Sequence, residues 1–296
     1  MSTTSPFGRL LTAMVSPMRP DGSIDPEGTR RLAEHLVETG HDGIVVNGTT
    51  GESATLSDDE SIEMVRLVAD AVGDRVKVVA GVGSNATAHS VEMTRRAIDA
   101  GATGLLLVSP YYNKPTQAGL IQHVRAVAEV SDLPVMLYDI PGRTAIPFDT
   151  ATLLELAQLP TVKAVKDAKG DAWATSHVLA DTDLLYFSGD DATTLPWLAL
   201  GAVGTVSVVG HVAGREYAAM LAAVDAGDLA GAREVHTRLI PAVDAIMKPS
   251  QGAIMAKAAL VETGVLENAT VRLPLVESPP EHLKALRAGL KESGLL

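Results

Sequence analysis

The sequence contains no cysteine, which excludes disulfide bonds, thiolate metal sites and cysteine nucleophiles. Aromatic residues make up only 3% of the chain and hydrophobic residues 46%, so Leu, Val and Ala must fill the core. Branched aliphatic side chains dominate the interiors of tightly layered α/β folds such as parallel barrels. The composition therefore favours an α/β protein with a large aliphatic core.

Long apolar runs and an excess of positive charge are also missing. No apolar run approaches the ~18 residues of a membrane span, and the first residues, MSTTSPFGRL, contain no apolar targeting core. The formal net charge is −12, which disfavours nucleic acid and anionic membranes because both are polyanions. We therefore expect no nucleic-acid or membrane partner and a cytoplasmic location.

The chain does contain a regular alternation of short apolar runs and helical stretches. Eight β-rich runs recur along it: Leu10–Val15, Gly43–Asn47, Val76–Ala80, Gly104–Val108, Pro134–Tyr138, Val162–Lys166, Leu184–Phe187 and Gly204–Val209. The stretches between them, such as Asp58–Val72 and Thr87–Ala100, carry apolar residues at helical spacing. Ser57 and Glu60 fit a capping box at the start of one helix.

Eight strand–helix units within about 215 residues predict a parallel (β/α)₈ barrel, with a doubly wound open sheet as the alternative. No strand pattern follows Val209, and the rest of the chain reads as helices interrupted by prolines. We predict a barrel over residues 1–213 and a helical appendage over residues 214–296, packed on the barrel as one body.

Chemistry in a parallel barrel takes place at the carboxyl ends of the strands. Here those ends carry the segments Asn47–Glu52, Ser109–Pro115, Tyr138–Thr144, Lys166–Asp167 and Ser188–Asp191. Three of the five tyrosines and a lysine at a strand end are thus predicted to meet at one rim.

Lys166 is the candidate nucleophile. Strand alternation places Val162, Ala164 and Lys166 on one face, whereas Lys169 lies beyond the strand and is expected to be a solvated charge. A free lysine is only ~0.04% neutral at pH 7, and burial among apolar groups raises that fraction, as Schiff-base chemistry requires. A buried ion pair of Lys166 with Asp167 or Asp190 is an equally good interpretation of its position alone.

Other rim residues suit the handling of a keto acid. The Gly48–Glu52 turn offers backbone N–H groups and two hydroxyls for a carboxylate, although a tight turn would also need its glycines. Arg143 follows Pro141 and Gly142 and could bind a second carboxylate, although most single arginines form surface ion pairs. Tyr138 and Tyr112 could relay protons through the hydroxyl of Thr50.

These segments together resemble the dihydrodipicolinate synthase family of pyruvate-dependent aldolases, whose superfamily includes N-acetylneuraminate lyase. The matching segments are Gly48–Ser53, Pro110–Pro115, Tyr138–Thr144, Val165–Asp167 and Ser188–Asp191, in the family's order and spacing. The resemblance runs from about Leu10 to the carboxyl terminus. It implies the condensation of pyruvate with L-aspartate-4-semialdehyde to 4-hydroxy-tetrahydrodipicolinate, the first committed step towards diaminopimelate and lysine.

The resemblance also implies residue roles. Lys166 would form the Schiff base, and Tyr138, Thr50 and Tyr112 the proton relay, with Tyr112 supplied by a neighbouring subunit. Thr49 and Thr50 would bind the pyruvate carboxylate, and Arg143 would bind the carboxylate of the second substrate. Gly189 and Val206 match backbone positions that line the site. A homotetramer of two tight dimers is the implied assembly.

A possible allosteric region is implied where lysine-sensitive members bind lysine at the dimer interface. Its candidate residues are Ser53, Ala54, Asn85, His89 and Tyr111. Asp58 and Ser61 stand where those members have histidines, and His89 stands in place of a glutamate that would pair with the inhibitor's amine. Losing that contact removes roughly 1.5–3 kcal/mol, so we predict weak or absent inhibition by lysine.

Three other functions are compatible with parts of the sequence. A metal-dependent aldolase or hydrolase is disfavoured because the eight histidines show no ligand spacing, so we expect no metal and no cofactor. A sister aldolase acting on another aldehyde is the nearest enzymatic alternative. A catalytically silent barrel that senses a keto acid is the alternative from another class, and it would not need Lys166, Tyr138 and Tyr112 together.

Overall fold

Eight short strands pair in parallel and in sequence order, and β1 pairs with β8, which closes the barrel in this computed structural model of residues 5–296. The strands are β1 Leu10–Ala13, β2 Gly43–Val46, β3 Lys77–Gly81, β4 Gly104–Val108, β5 Val135–Asp139, β6 Val162–Asp167, β7 Leu185–Ser188 and β8 Gly204–Ser207. Each predicted run lies within two residues of its strand. The predicted (β/α)₈ barrel is confirmed, and the open sheet is excluded.

Helices alternate with the strands and then continue beyond β8. They are α1 Pro26–Glu38, α2 Asp58–Val72, α3 Thr87–Asp99, α4 Gln117–Ala128, α5 Pro141–Thr144, α6 Thr150–Leu156, α7 Ala172–Asp181, α8 Thr194–Leu200, α9 Gly210–Asp225, α10 Leu229–Met247, α11 Gly252–Glu262 and α12 Pro280–Glu292. The capping box at α2 is present, with Ser57 and Glu60 bonded to each other's backbone N–H groups. The predicted helical carboxyl-terminal part is therefore also confirmed.

Two apolar layers surround the strands. The inner layer fills the barrel with side chains such as Leu11, Val79, Met136 and Phe187, and Phe7 packs edge to face against Phe187 at 6.2 Å. The outer layer lies between the strands and the surrounding helices. Because few aromatic rings are available, aliphatic side chains fill both layers, as the composition predicts.

A third apolar cluster joins helices α9 to α12 to one another. Val208 and Val212 pack against both this cluster and the outer layer of the barrel, so the helical part continues the barrel core. Helix α9 bends at Ala213, which has non-helical backbone angles. The division into residues 1–213 and 214–296 lies at this bend and stays a prediction.

None of the helices within residues 5–296 combines the length and the apolar character that a membrane crossing requires.

Candidate active site

Lys166 points into the barrel from the carboxyl end of β6. It is in register with Tyr138 of β5 and Phe187 of β7, and both belong to the inner layer. The alternation argument is correct for Ala164 and Lys166 but wrong for Val162, which packs in the outer layer. A register shift next to Val135 accounts for the error, because an irregularity interrupts the strict alternation of a strand.

The ammonium group of Lys166 lies against an aromatic ring instead of a carboxylate. Lys166 is only 4% exposed, and its Nζ lies 4.0 Å from the ring centroid of Tyr138. The neighbouring Asp167 turns its carboxylate away, towards the backbone N–H groups of Lys169 and Gly170 and the hydroxyl of Thr175. Among residues 5–296 no acidic side chain forms an ion pair with Lys166. The alternative in which Lys166 serves only as one half of a buried ion pair is therefore excluded.

Burial lowers the pKa of Lys166 to about 7, which is the value that Schiff-base chemistry needs. Asp191 opposes this shift, and the positive charge of Arg143 adds to it. At neutral pH a substantial fraction of the Lys166 side chains is therefore uncharged and nucleophilic.

Tyr138 remains protonated across the physiological range. Burial raises the pKa of its hydroxyl to about 12, the charge of Arg143 lowers it, Asp190 raises it, and a hydrogen bond with the Thr49 side chain lowers it. A neutral phenol beside a neutral amine can donate a proton to an oxygen that leaves the reacting carbon. The pair Lys166–Tyr138 is therefore chemically able to act as a nucleophile and an acid.

Gly189 packs against Lys166, and Val206 lies in the inner layer of the barrel. A Cβ on Gly189 would lie 3.0 Å from Cγ of Lys166 and 2.9 Å from the carbonyl oxygen of Asp167, so a side chain there would displace the lysine. Val206 is 1% exposed and belongs to the inner layer of the barrel. Their predicted role in lining the site stays a prediction.

A cavity of about 540 Å³ reaches the barrel rim at Tyr138, whereas Lys166, Gly189 and Val206 do not line it. Thr49, Tyr138 and Arg143 line it, and Arg143 reaches it from the one-turn helix α5. Thr50 is buried in the same turn as Thr49 but does not line the cavity. Tyr112 is 89% exposed, with a left-handed backbone (φ 75°), and lies outside the lining formed by residues 5–296 of this chain.

The cavity continues into the predicted allosteric region. Its lining includes Ser53, Ala54, Asp58, Ser61, His89 and Tyr111. His89 Nε2 lies 2.9 Å from Asp58 Oδ1, so two of the three residues that depart from the lysine-sensitive pattern contact each other. Asn85 lies outside the lining and is fixed through its carbonyl oxygen, which accepts a hydrogen bond from the Asn113 side chain at 2.8 Å.

Several residues near the site were missed or misread in the sequence. Asp191, not Asp190, is the buried acid that acts on Lys166; it accepts hydrogen bonds from Ser207 and from the N–H groups of Val208 and Val209. Two adjacent aspartates after a strand give no sign of which one turns inward.

Lys169 is not a solvated charge, which corrects the prediction made for it. Its side chain is 16% exposed, pairs with the buried Asp139 at 3.6 Å and donates to the carbonyl oxygen of Phe148 at 3.3 Å. The interaction draws Lys169 back under the rim, because burial of an aspartate without a partner is costly.

Within residues 5–296 no three His, Cys, Asp or Glu side chains are grouped to hold a metal ion.

Known proteins resemble this chain over almost its whole length. The model of the dihydrodipicolinate synthetase family matches residues 6–293. A 4-hydroxy-tetrahydrodipicolinate synthase of Kineococcus radiotolerans is 59% identical over 290 residues, which cover 98% of this chain and 94% of that protein.

The fold of this chain also resembles that of solved structures. A dihydrodipicolinate synthase from Cyanidioschyzon merolae with lysine bound superposes with a TM-score of 0.96 at 41% identity, covering 99% of this chain and 100% of the other. A structure described as the first monomeric dihydrodipicolinate synthase variant gives 0.94 at 35% identity, covering 98% of each chain. The chain therefore belongs to the dihydrodipicolinate synthetase family.

Proposed function

We propose that this chain condenses pyruvate with L-aspartate-4-semialdehyde to give 4-hydroxy-tetrahydrodipicolinate, the first committed step of diaminopimelate and lysine biosynthesis. The observation that carries this proposal is Lys166, a buried and unpaired lysine whose pKa is lowered to about 7. Its position under the Tyr138 ring at the barrel rim gives it a proton donor. Family membership supplies the identity of the substrates.

The first half of the reaction builds the Schiff base. The neutral amine of Lys166 attacks the keto carbon of pyruvate, and the carbinolamine loses its hydroxyl as water after a proton arrives from Tyr138. We assign Thr49 and Thr50 to the pyruvate carboxylate and Thr50 and Tyr112 to the rest of the relay. The buried position of Thr50 and the contact of Thr49 with Tyr138 support a shared proton path.

The second half forms the carbon–carbon bond. Loss of a proton from the pyruvate methyl group gives an enamine, whose carbon attacks the aldehyde of the second substrate. The amine of that substrate then displaces Lys166 and closes the ring. We assign Arg143 to the second carboxylate, because its exposed guanidinium lines the cavity and carboxylates fit that group at two points. Gly189 and Val206 shape the wall behind the reacting carbons.

We also propose that the chain works as a homotetramer of two tight dimers and that Tyr112 acts in the neighbouring subunit's site. The exposed ring of Tyr112 and its left-handed backbone support this, because a strained, solvated aromatic residue gains most from a partner surface. A family relative is described as a monomeric variant, so assembly needs a direct measurement. Sedimentation equilibrium should give four chains; a fully active monomer would contradict the role of Tyr112.

Weak or absent inhibition by lysine remains our expectation for the region around His89. The contact between His89 and Asp58 supports it, because Asp58 is engaged and no glutamate occupies position 89. Half-inhibition at low millimolar lysine would refute this expectation. A cytoplasmic location, likewise, stays a prediction.

Consumption of L-aspartate-4-semialdehyde in the presence of pyruvate tests the proposed reaction. Wild type should consume the two substrates in equal amounts. The Arg143→Ala variant should still form the Schiff base with pyruvate but lose about 10- to 100-fold in kcat/KM for the aldehyde, as loss of a charged contact predicts. Unchanged turnover would remove Arg143 from its role, and no aldehyde consumption by wild type would favour a sister aldolase.

A further inference from the structure

The turn that carries Thr49 and Thr50 is held at both ends by side chains. Its flanking residues, Asn47 and Glu52, both have left-handed backbones, with φ of 59° and 56°. Residues other than glycine keep this conformation only where their surroundings fix it. Asn47 is fixed by its side-chain amide, which donates to the carbonyl oxygen of Ser61 at 2.8 Å.

Glu52 is fixed from the opposite end of the chain. Its buried carboxylate accepts one hydrogen bond from Nζ of Lys257 on α11 at 2.5 Å and one from the backbone N–H of Arg272 at 3.0 Å. Lys257 is fully buried and also donates to the carbonyl oxygen of Thr270 at 2.6 Å. Both charges are therefore compensated, as buried charges must be.

Arg272 extends the same connection. Its guanidinium forms two hydrogen bonds to Glu60 and donates to the carbonyl oxygens of Thr55 and Gly22. Arg272 thus contacts Glu52 and Thr55 in the loop between β2 and α2, and Glu60 in the first turn of α2. None of these contacts involves the residues assigned to bond chemistry.

We propose that the Glu52–Lys257 ion pair is a positioning device that sets Thr49 and Thr50 for the carboxylate of the first substrate. The carboxyl-terminal helices thereby become part of the active site. The inference rests on the proposed function, because it concerns pyruvate bound at this turn. Without Lys257 the buried carboxylate must reach water, and the turn opens with it.

The Lys257→Met variant tests the pair by kinetics. A positioning role predicts that KM for pyruvate rises about tenfold or more, and that kcat also falls because the displaced Thr50 belongs to the proton relay as well. The matched control is Arg287→Met, which breaks the exposed ion pair between α11 and α12 at Glu262 without reaching the turn. Its KM for pyruvate should stay within about twofold of wild type.

The double variant Glu52→Gln, Lys257→Met separates positioning from a stray buried charge. It carries no unpaired charge, so its thermal stability should exceed that of Lys257→Met, while its KM for pyruvate stays raised. A KM within about twofold of wild type, in the folded single or double variant, would overturn the proposal.

Hydrogen exchange in the unmodified protein gives a test that needs no variant. Pyruvate should slow exchange in the peptide over residues 268–273 as well as in residues 47–53, and leave α12 unchanged. Protection of residues 47–53 alone would overturn the positioning role. Protection of neither, with no Schiff base formed, would instead overturn the proposed function.

Discussion

Lys166 and Lys257 are both buried lysines, 4% and 0% exposed, but their surroundings differ. Lys257 bonds to the carboxylate of Glu52 and to a backbone carbonyl oxygen. Lys166 has the face of the Tyr138 ring beside it and no ion-pair partner within residues 5–296. Burial lowers the pKa of both; Glu52 opposes the shift at Lys257 by its charge and by a direct hydrogen bond, whereas Asp191 opposes the shift at Lys166 by its charge alone.

The comparison shows that a buried lysine can have either a structural or a chemical role. A paired lysine stays charged, satisfies its neighbours and fixes geometry. An unpaired buried lysine lowers the stability of the protein, but its amine is uncharged more often and is therefore reactive. Burial alone therefore does not identify a nucleophile, whereas burial without an ion-pair partner points to one.

The largest difference between substitutions of the two lysines is expected in kcat. Lys166→Ala should reduce kcat by at least about 10⁴-fold, because no other group can form the covalent intermediate. Lys257→Ala should retain measurable kcat at saturating pyruvate. Steady-state assays with both substrates compare the two variants, and similar losses in both would end the distinction.

Removing the hydroxyl of Tyr138, whose ring contacts Lys166, should have the next largest effect. Tyr138→Phe keeps the ring that lies over the lysine but lacks the proton donor. We expect a decrease of about 10²–10³-fold in kcat, the usual contribution of general acid catalysis. Rapid-mixing measurement of Schiff-base formation checks it; an unchanged rate would assign the proton transfer to another group.

The pH dependence of Schiff-base formation should report the low pKa of Lys166. Since only the neutral amine attacks, the rate should fall about tenfold per pH unit below about 7 and level off above it. Initial rates of Schiff-base trapping, measured at low pyruvate between pH 5.5 and 9, would test this, because that range includes both sides of the pKa. A rate that still rises steeply towards pH 9 would mean an ordinary lysine.

The smallest effects, on stability, should have opposite signs. Lys166→Met should raise the free energy of unfolding by about 1–3 kcal/mol at pH 7, because it removes a desolvated amine. Lys257→Met should lower it by about 3–5 kcal/mol, because Glu52 is left unpaired. Chemical denaturation measures both, and a loss of stability in Lys166→Met would contradict the unpaired state.

The Lys166 gain should also depend on pH. The pKa of this lysine is about 7 in the folded protein and 10.5 as its reference value. Between these values the unfolded chain binds more protons, so wild-type stability rises with pH. The advantage of Lys166→Met should accordingly shrink from pH 7 towards pH 10.

The local patterns in the sequence predicted the barrel and most of the rim. Apolar runs located every strand, and alternation turned Ala164 and Lys166 inward. The side of Val162 could not be predicted, because it depends on a register shift between two strands. The pairing of Glu52 with Lys257 spans 205 residues and leaves one local sign, a lone lysine within the apolar run GAIMAKAALV.

The residue roles were harder to predict than the fold. Asp190 and Asp191 are neighbours, yet only the packing of the loop after β8 shows which of them faces Lys166. The proposed action of Tyr112 in a neighbouring subunit rests on the family resemblance, because a single sequence contains no direct information about an interface between chains.

Borohydride reduction in the presence of pyruvate, followed by peptide mass mapping, tests the central claim most directly. Lys166 and Lys257 lie in different peptides, so one experiment examines both. The account predicts a mass increase of one reduced pyruvate on the Lys166 peptide and none on the Lys257 peptide. An unmodified Lys166 peptide, or equal labelling of both lysines, would contradict it.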